Sequence, residues 1–369
     1  MIERDELGAW LRLLTTPQLG RTSARRLLAA FGSAEGVLGA SRAQLQDAAG
    51  RSAADALAEA PDGLDALVER TLEWLGADPR RAFVTLGDAL YPAALLETAD
   101  PPLALYLQGR FELLAATSLA IVGSRNPTRQ GVDNARAFAR HLSEAGLTVV
   151  SGLALGIDGA AHEGALQGPG STIAVVGTGL DRVYPKRHLA LAHRIADEGL
   201  IVSEYSLGAP PLGLHFPQRN RLIAGLTRAT LVVEATLQSG SLITARLAAE
   251  AGREVYVIPG SIHAPQSRGC HALIKQGAKL VDEAQDILDD LRPSLAPAAV
   301  REDPPADGAS AEAGDALLDA LGFDPVTLDA LAARTGVAPA ELSARLLELE
   351  LEGRVARLPG QRFQRLAHA

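Results

Sequence analysis

The sequence predicts an α/β fold. An extended Rossmann-like parallel sheet carries helices on both faces, with an N-terminal helical unit of SAM or helix-hairpin-helix type before it and a C-terminal winged helix after it. Three observations support this. Six continuous, β-branched apolar runs lie between Ser118 and Gly260 and alternate with segments of helical periodicity, the signature of strands buried on both faces. Each run ends in small or polar residues, and beyond the carboxyl ends of such strands ligands bind. After Leu291 the composition shifts abruptly to Pro, Ala, Asp and Glu before helical periodicity returns.

The elements follow in order. Leu7-Gly-Ala-Trp-Leu-Arg-Leu-Leu14 spaces its apolar residues for a helix. Thr22 or Ser23 can cap Ala24–Phe31, which Gly32 stops. The preceding Leu19-Gly20-Arg21-Thr22 is similar to a helix-hairpin-helix turn, whose amides can hold a phosphate. A small bundle serving stability or partner contact is the favoured reading of residues 1–80. Between Phe83 and Arg110, Tyr91-Pro92 and Asp100-Pro101-Pro102 predict an extended connector. The six strands are placed on Leu119–Arg125, Leu147–Gly152, Thr172–Gly177, Leu200–Glu204, Ala229–Glu234 and Glu254–Gly260, within a unit spanning 81–292. Residues 293–314 hold Pro297, Pro304, Pro305 and Gly308 among Ala, Asp and Glu, a composition that cannot bury a core and predicts a flexible tether. In 315–369, helices are expected over Ala316–Leu321, Val326–Arg334 and Ala340–Glu352, then a hairpin turned at Pro359-Gly360. Together these make a winged helix.

Composition narrows the function. The chain has 369 residues, a net charge of −9 and one cysteine, Cys270, which excludes an internal disulfide and a Cys-rich metal site. Met1-Ile-Glu-Arg-Asp-Glu is too acidic for a signal peptide, and no apolar stretch is long enough to span a bilayer, so a soluble cytoplasmic protein without a membrane partner is expected. The negative average hides a local patch. Residues 182–228 hold 7 cationic against 3 anionic side chains, and a phosphate chain meets the patch rather than the average. The winged helix is different. Its helix over 340–352 carries Glu341, Glu348, Glu350 and Glu352 against Arg345 alone, which repels phosphates and favours a partner-binding or regulatory role; only its wing, with Arg354, Arg357, Arg362 and Arg365, suits a nucleic-acid backbone.

The candidate chemistry lies at the strand ends. Gly123-Ser124-Arg125 offers close backbone approach, a hydroxyl and a guanidinium fork ahead of a helix begun at Thr128. Ser151-Gly152-Leu-Ala-Leu-Gly156, Gly177-Thr178-Gly179 and Ser239-Gly240-Ser241 repeat the pattern, so the sequence predicts a floor of amides and helix N-termini. Any one of these serines reads more simply as a helix cap; the set together predicts an anion site. Phe216-Pro-Gln-Arg219-Asn220-Arg221 adds two guanidinium groups, an amide and an aromatic ring able to stack on an unpaired base. The plainer readings are core packing for Phe216 and ion pairs to Glu204 or Glu234 for the two arginines.

Enzyme motifs are missing. There is no Gly-x-x-x-x-Gly-Lys-Ser/Thr loop and no His-Glu-x-x-His, and Gly177-Thr-Gly-Leu-Asp-Arg182 has Arg182 where a dinucleotide fingerprint needs Gly. No metal, cofactor or catalytic residue is therefore assigned. Asp158 and His162, four apart, read as an oriented structural hydrogen bond in preference to an acid/base pair.

The ordered motifs resemble the DNA-processing protein DprA (Smf) family. They are Ile121-Val-Gly-Ser-Arg125, Val150-Ser-Gly-Leu-Ala-Leu-Gly-Ile-Asp158, Tyr184-Pro185, Phe216-Pro-Gln-Arg-Asn-Arg-Leu-Ile-Ala-Gly225, Ser239-Gly-Ser-Leu-Ile-Thr-Ala245, Val257-Ile-Pro-Gly260 and Leu273-Ile-Lys-Gln-Gly-Ala278. The resemblance covers the whole chain and is most specific over residues 83 to 290. It implies a non-enzymatic protein that binds single-stranded DNA, protects incoming strands in natural transformation, loads RecA recombinase and forms homodimers through the Rossmann-like unit, with single-strand-binding protein as a further partner. The DNA contacts it implies fall on Gly123, Ser124, Arg125, Lys186, Phe216, Arg219, Asn220, Arg221, Ser239, Gly240 and Ser241. His188 stands where the family commonly has Asn. The competing reading is a Rossmann-like nucleoside-monophosphate phosphoribohydrolase with Glu234 as its acid or nucleophile, although that family's Pro-Gly-Gly-x-Gly-Thr is absent.

Overall fold

The structure is a computed structural model that describes residues 2–295, 316–321, 325–335, 337–358 and 362–366. Most of the expected tether and the turn at Pro359-Gly360 lie outside the described residues.

Six helices come first: α1 (Arg4–Thr15), α2 (Arg21–Phe31), α3 (Ala34–Gly39), α4 (Arg42–Ala49), α5 (Arg51–Ala56) and α6 (Leu64–Gly76). Gly32, at φ 79°, ends α2 as its sequence predicts. Beyond α6 the chain runs β1 (Arg81–Thr85), α7 (Ala93–Leu96), β2 (Ala104–Gly109), β3 (Ser118–Val122), α8 (Arg129–Glu144), β4 (Thr148–Ser151), α9 (Ile157–Ala165), β5 (Thr172–Val175), α10 (Leu189–Glu198) and β6 (Leu200–Ser203). It continues through α11 (His215–Leu226), β7 (Ala229–Val232), α12 (Ser241–Glu250), β8 (Glu254–Val257), α13 (Arg268–Lys275), β9 (Lys279–Leu280) and α14 (Ala284–Leu295).

The nine strands form one sheet in the order β1-β2-β6-β5-β4-β3-β7-β8-β9. The six predicted runs are β3 to β8, all parallel. The expected connector over 83–110 is a correction: it holds most of β1 and all of β2, where β1 pairs antiparallel with β2 and β2 with β6. Proline and acidic residues around them hid two short strands whose side chains are mostly buried.

Alternation along β3 shows how both faces are covered. Ala120 and Val122 join the core under α11, α12 and α13, while Leu119 and Ile121 join the core under α8, α9 and α14. A strand hydrophobic at every position can only be satisfied this way. The N-terminal helices pack their own core onto the antiparallel extension, where Tyr106 meets Trp74 and Phe83 edge-on at centroid distances of 5.9 and 4.9 Å.

At the C-terminus, α15 (Ala316–Leu321), β10 (Val326–Thr327), α16 (Leu328–Thr335), α17 (Pro339–Leu351), β11 (Val355–Leu358) and β12 (Arg362–Arg365) make the winged helix, with strand order β10-β12-β11. Val326 and Thr327 were expected to open the second helix. They form a strand, paired to Phe363 and Arg362, because their β-branched side chains suit the pleat.

One ion cluster joins the helical layer to the sheet. Asp100 accepts from Arg21 at 2.8 Å and Arg25 at 2.6 Å, Arg221 bonds Glu204, and Arg221 Nε lies 3.4 Å from Asp100. Burial tends to raise the Asp100 carboxyl, but Arg25, Arg221 and Arg21 together hold it below its usual value. Glu204 is only 6% exposed. Arg221→Ala would leave it with Arg21 at 3.7 Å, so the variant is expected to lose about 3 kcal/mol of stability, measured as a lower urea midpoint.

Candidate nucleic-acid interface

Strand β3 pairs with β4 on one side and β7 on the other, so the loops leaving β3 and β7 diverge. Such a switch point leaves a crevice beyond the strand ends. A cleft of about 650 Å³ opens there, walled by Gly123, Ser124 and Arg125 after β3, Phe216, Arg219 and Asn220 on α11, and Ser239, Gly240 and Ser241 at the start of α12. Of the residues the sequence marks, Lys186 and Arg221 are the two that do not line it.

Helix phase explains Arg221. At 100° per residue, Phe216, Arg219 and Asn220 share a face of α11, and Arg221 falls on another, toward Glu204 and Asp100. The plainer ion-pair reading is correct for Arg221, and the expectation that it grips a phosphate is not supported by this geometry. Arg219 is also not free: it is 4% exposed and donates to the Gly152 carbonyl at 2.7 Å. A Cβ at Gly152 would fall 1.5 Å from its guanidinium, so glycine is required there. Its Nε has no protein acceptor. Burial draws Asp158 up and Arg219 down, and each charge counters the other's drift.

Of the two arginines that line the cleft, Arg125 is the less committed. It is exposed, makes no ion pair among the described residues, and stands 5.7 Å from the centroid of the Phe216 ring. Phe216 is therefore half-buried on the cleft wall and not a core residue. Asn220 donates to the Gly240 carbonyl at 3.3 Å, bracing the Ser239–Ser241 loop, where the two serine hydroxyls lie 2.7 Å apart.

Two carboxylates already occupy part of the expected amide floor. Thr128 caps α8 by accepting from the Gly131 amide at 3.0 Å, Glu234 accepts in turn from the Thr128 amide at 2.9 Å and from its hydroxyl, and a Cβ at Gly131 would fall 2.4 Å from the Glu234 carboxyl carbon. The N-terminus of α8 is thus closed to an external anion, which corrects that expectation, and Glu234 is held in a structural role. Asp158 accepts from Gly152 and Ala154 at 3.1 and 3.2 Å, likewise filling the loop after β4. Asp158 and His162 do not bond each other. His162 Nδ1 lies 2.7 Å from Thr172 Oγ1, which itself donates to Val149, so Nδ1 carries the proton. His188 Nδ1 meets the Leu153 carbonyl at 3.0 Å.

Among the described residues no three His, Cys, Asp or Glu side chains could hold a metal, and no helix is long and apolar enough to cross a membrane.

The fold defines a Rossmann-like α/β protein with an appended winged helix. The model of the family "DNA recombination-mediator protein A" matches residues 82–292, and that of the DprA winged helix domain matches 300–361. Protein Smf of Escherichia coli K12 is 43% identical over 309 residues, covering 82% of each chain. DNA processing protein DprA of Streptococcus pneumoniae R6 is 50% identical over 201 residues, 54% of this chain and 71% of that one. The X-ray structure of DprA from Streptococcus pneumoniae superposes with a TM-score of 0.64 at 37% identity, over 78% of this chain and 98% of that one. A Helicobacter pylori DprA structure that describes a single-stranded DNA binding mode gives 0.53 at 34% identity, over 57% and 96%. The chain belongs to the DprA/Smf family of DNA recombination mediators.

Two outcomes follow from the internal polar groups. Glu234→Ala should cost roughly 1–3 kcal/mol by leaving the Thr128 amide and hydroxyl without their acceptor, seen as a lower melting temperature. Burial, with the charges of His188 and Arg219, lowers the His162 pKa to about 3. An unfolded chain takes up that proton near pH ~6.5 while the folded one does not. Stability should therefore fall as pH drops from about 6.5 toward 3, and His162→Gln should flatten the midpoint-against-pH curve between about pH 7 and 4.

Proposed function

We propose that this chain binds single-stranded DNA in the cleft between the β3 and β7 loops, and that the strand so held is protected during natural transformation and handed to RecA recombinase. The observation that carries the reading is the pairing of Arg125, free of any carboxylate partner among the described residues, with the Phe216 ring beside it. A guanidinium attracts a phosphate and an adjacent aromatic face accepts a base, which is what a single strand presents and a duplex conceals. The Ser239–Ser241 loop supplies neutral donors across the cleft. The relative described by its single-stranded DNA binding mode supports the same ligand.

In this reading the chain is not an enzyme, needs no cofactor, works in the cytoplasm and acts as a homodimer through its sheet unit, with single-strand-binding protein as a further partner. Residues 1–80 and 315–369 flank the binding unit in sequence and serve partner contact. The phosphoribohydrolase alternative loses its main support, since the carboxylate it needs, Glu234, is engaged by the amide and hydroxyl of Thr128.

Binding of labelled oligothymidylate across a salt series tests the proposal. Each phosphate neutralised should contribute a log-log slope of about −0.7. Arg125→Ala should weaken binding and make the slope shallower by about that amount. Phe216→Ala should weaken binding by roughly 1–3 kcal/mol with little change in slope. Arg221→Ala, in its folded fraction, should leave the slope unchanged. Equal slopes for Arg125→Ala and the parent protein would overturn the assignment of this cleft.

A further inference from the structure

A second pocket, of about 310 Å³, has Tyr184 in its wall. Its volume is at the lower end of the range for small-ligand sites, roughly 300 Å³ upward. Tyr184 is 49% exposed, forms one wall, and lies 5.5 Å centroid to centroid from Phe216 at 34°. Two aromatic rings therefore run from the cleft to the pocket mouth.

The lining is apolar apart from Arg81 and Gln108 on its floor and Asp181, Arg182 and His193 elsewhere. Arg81 on β1 and Gln108 on β2 are directly paired cross-strand neighbours, and Gln108 is in turn opposite Ile201 on β6, so the three side chains share one face of the sheet. Arg81 stacks over Trp74 at 5.0 Å and donates to the Trp74 carbonyl at 3.0 Å, yet its Nε is buried with no acceptor. The Gln108 carboxamide also has no hydrogen-bond partner among the described residues. An unpaired buried donor at the base of a mostly apolar slot invites an acceptor, and a carboxamide can pair two-fold with a base edge. Lys186, two residues beyond Tyr184, is exposed and makes no ion pair among the described residues, so an unpaired cation follows the pocket wall by two residues.

We propose that this pocket takes a second, unstacked nucleobase of the strand held in the cleft. Tyr184 separates the two bases, Gln108 and Arg81 meet the edge of the inserted one, and Lys186 meets the phosphate between them. The inference rests on the cleft being the strand site. It assigns Lys186, which does not line the cleft, a place along the same strand.

The test uses the shortest oligothymidylate that keeps full affinity, so that the strand cannot shift register, with a single abasic position moved along it. An abasic site removes the base and keeps the phosphate. Two positions should each lose about tenfold in affinity. Phe216→Ala should erase the penalty at one of them; Tyr184→Ala and Gln108→Leu should erase it at the other and leave the first intact. If the parent strand binds, the Phe216 position behaves as expected, and neither Tyr184→Ala nor Gln108→Leu changes any other penalty, the second pocket is overturned while the cleft stands. If Phe216→Ala and Arg125→Ala change nothing, the cleft itself fails and this inference with it. Gln108→Leu preserves the ring contact with Phe216, so a folding defect confined to Tyr184→Ala still leaves a decisive variant.

Discussion

The parallel pairing of β3 with β7 is the constraint on which the cleft depends. Because β4, β5 and β6 extend the sheet on one side of β3 while β7, β8 and β9 extend it on the other, the loops after β3 and β7 part at the sheet's upper edge. Main-chain hydrogen bonding and burial on both faces leave the strands no freedom to close the gap. The helices that follow then bring Arg125, the α11 face and the Ser239–Ser241 turn to a common rim.

Much of the remaining polar chemistry serves to keep that rim in shape. Parallel strand ends expose many amides, and buried amides without partners are costly. Glu234 and Asp158 satisfy those at Thr128, Gly152 and Ala154 from within. Arg219 then balances Asp158 and closes onto the Gly152 carbonyl. Such a lattice holds the cleft open and leaves Arg125 and the serine loop among its available donors. Preorganisation of this kind lowers the ordering cost of binding.

The arginine-rich stretch of α11 divides its labour by helical phase. One face looks into the cleft, and Arg221, on another, anchors Asp100 and Glu204 alongside Arg21 and Arg25. The binding helix is thereby fixed to the N-terminal helices through a cluster of alternating charges. Removing any member leaves a charge in a partly desolvated site, which is why the cluster contributes to integrity more than to attraction for a polyanion.

Strand identity was legible in the sequence wherever burial on both faces forced unbroken β-branched runs, as in β3 to β8, and so was the glycine and serine chemistry of their ends. That Phe216, Arg125, Asn220 and Ser239 offer an aromatic ring, a cation, an amide and a hydroxyl was legible too, because side-chain chemistry is the same wherever it sits, and the fold brings all four to the cleft. Strands β1, β2 and β10 were not, since they are short, flanked by Pro or acidic residues, and are held by partners distant in sequence. Nor could local sequence say that Glu234 reaches Thr128, that Asp158 fills its own loop, or that Arg221 points to Asp100 while Arg219 points to Gly152. Those choices follow from which strands are neighbours and from the rotation of one helix, and both are set by long-range packing that no window of residues contains.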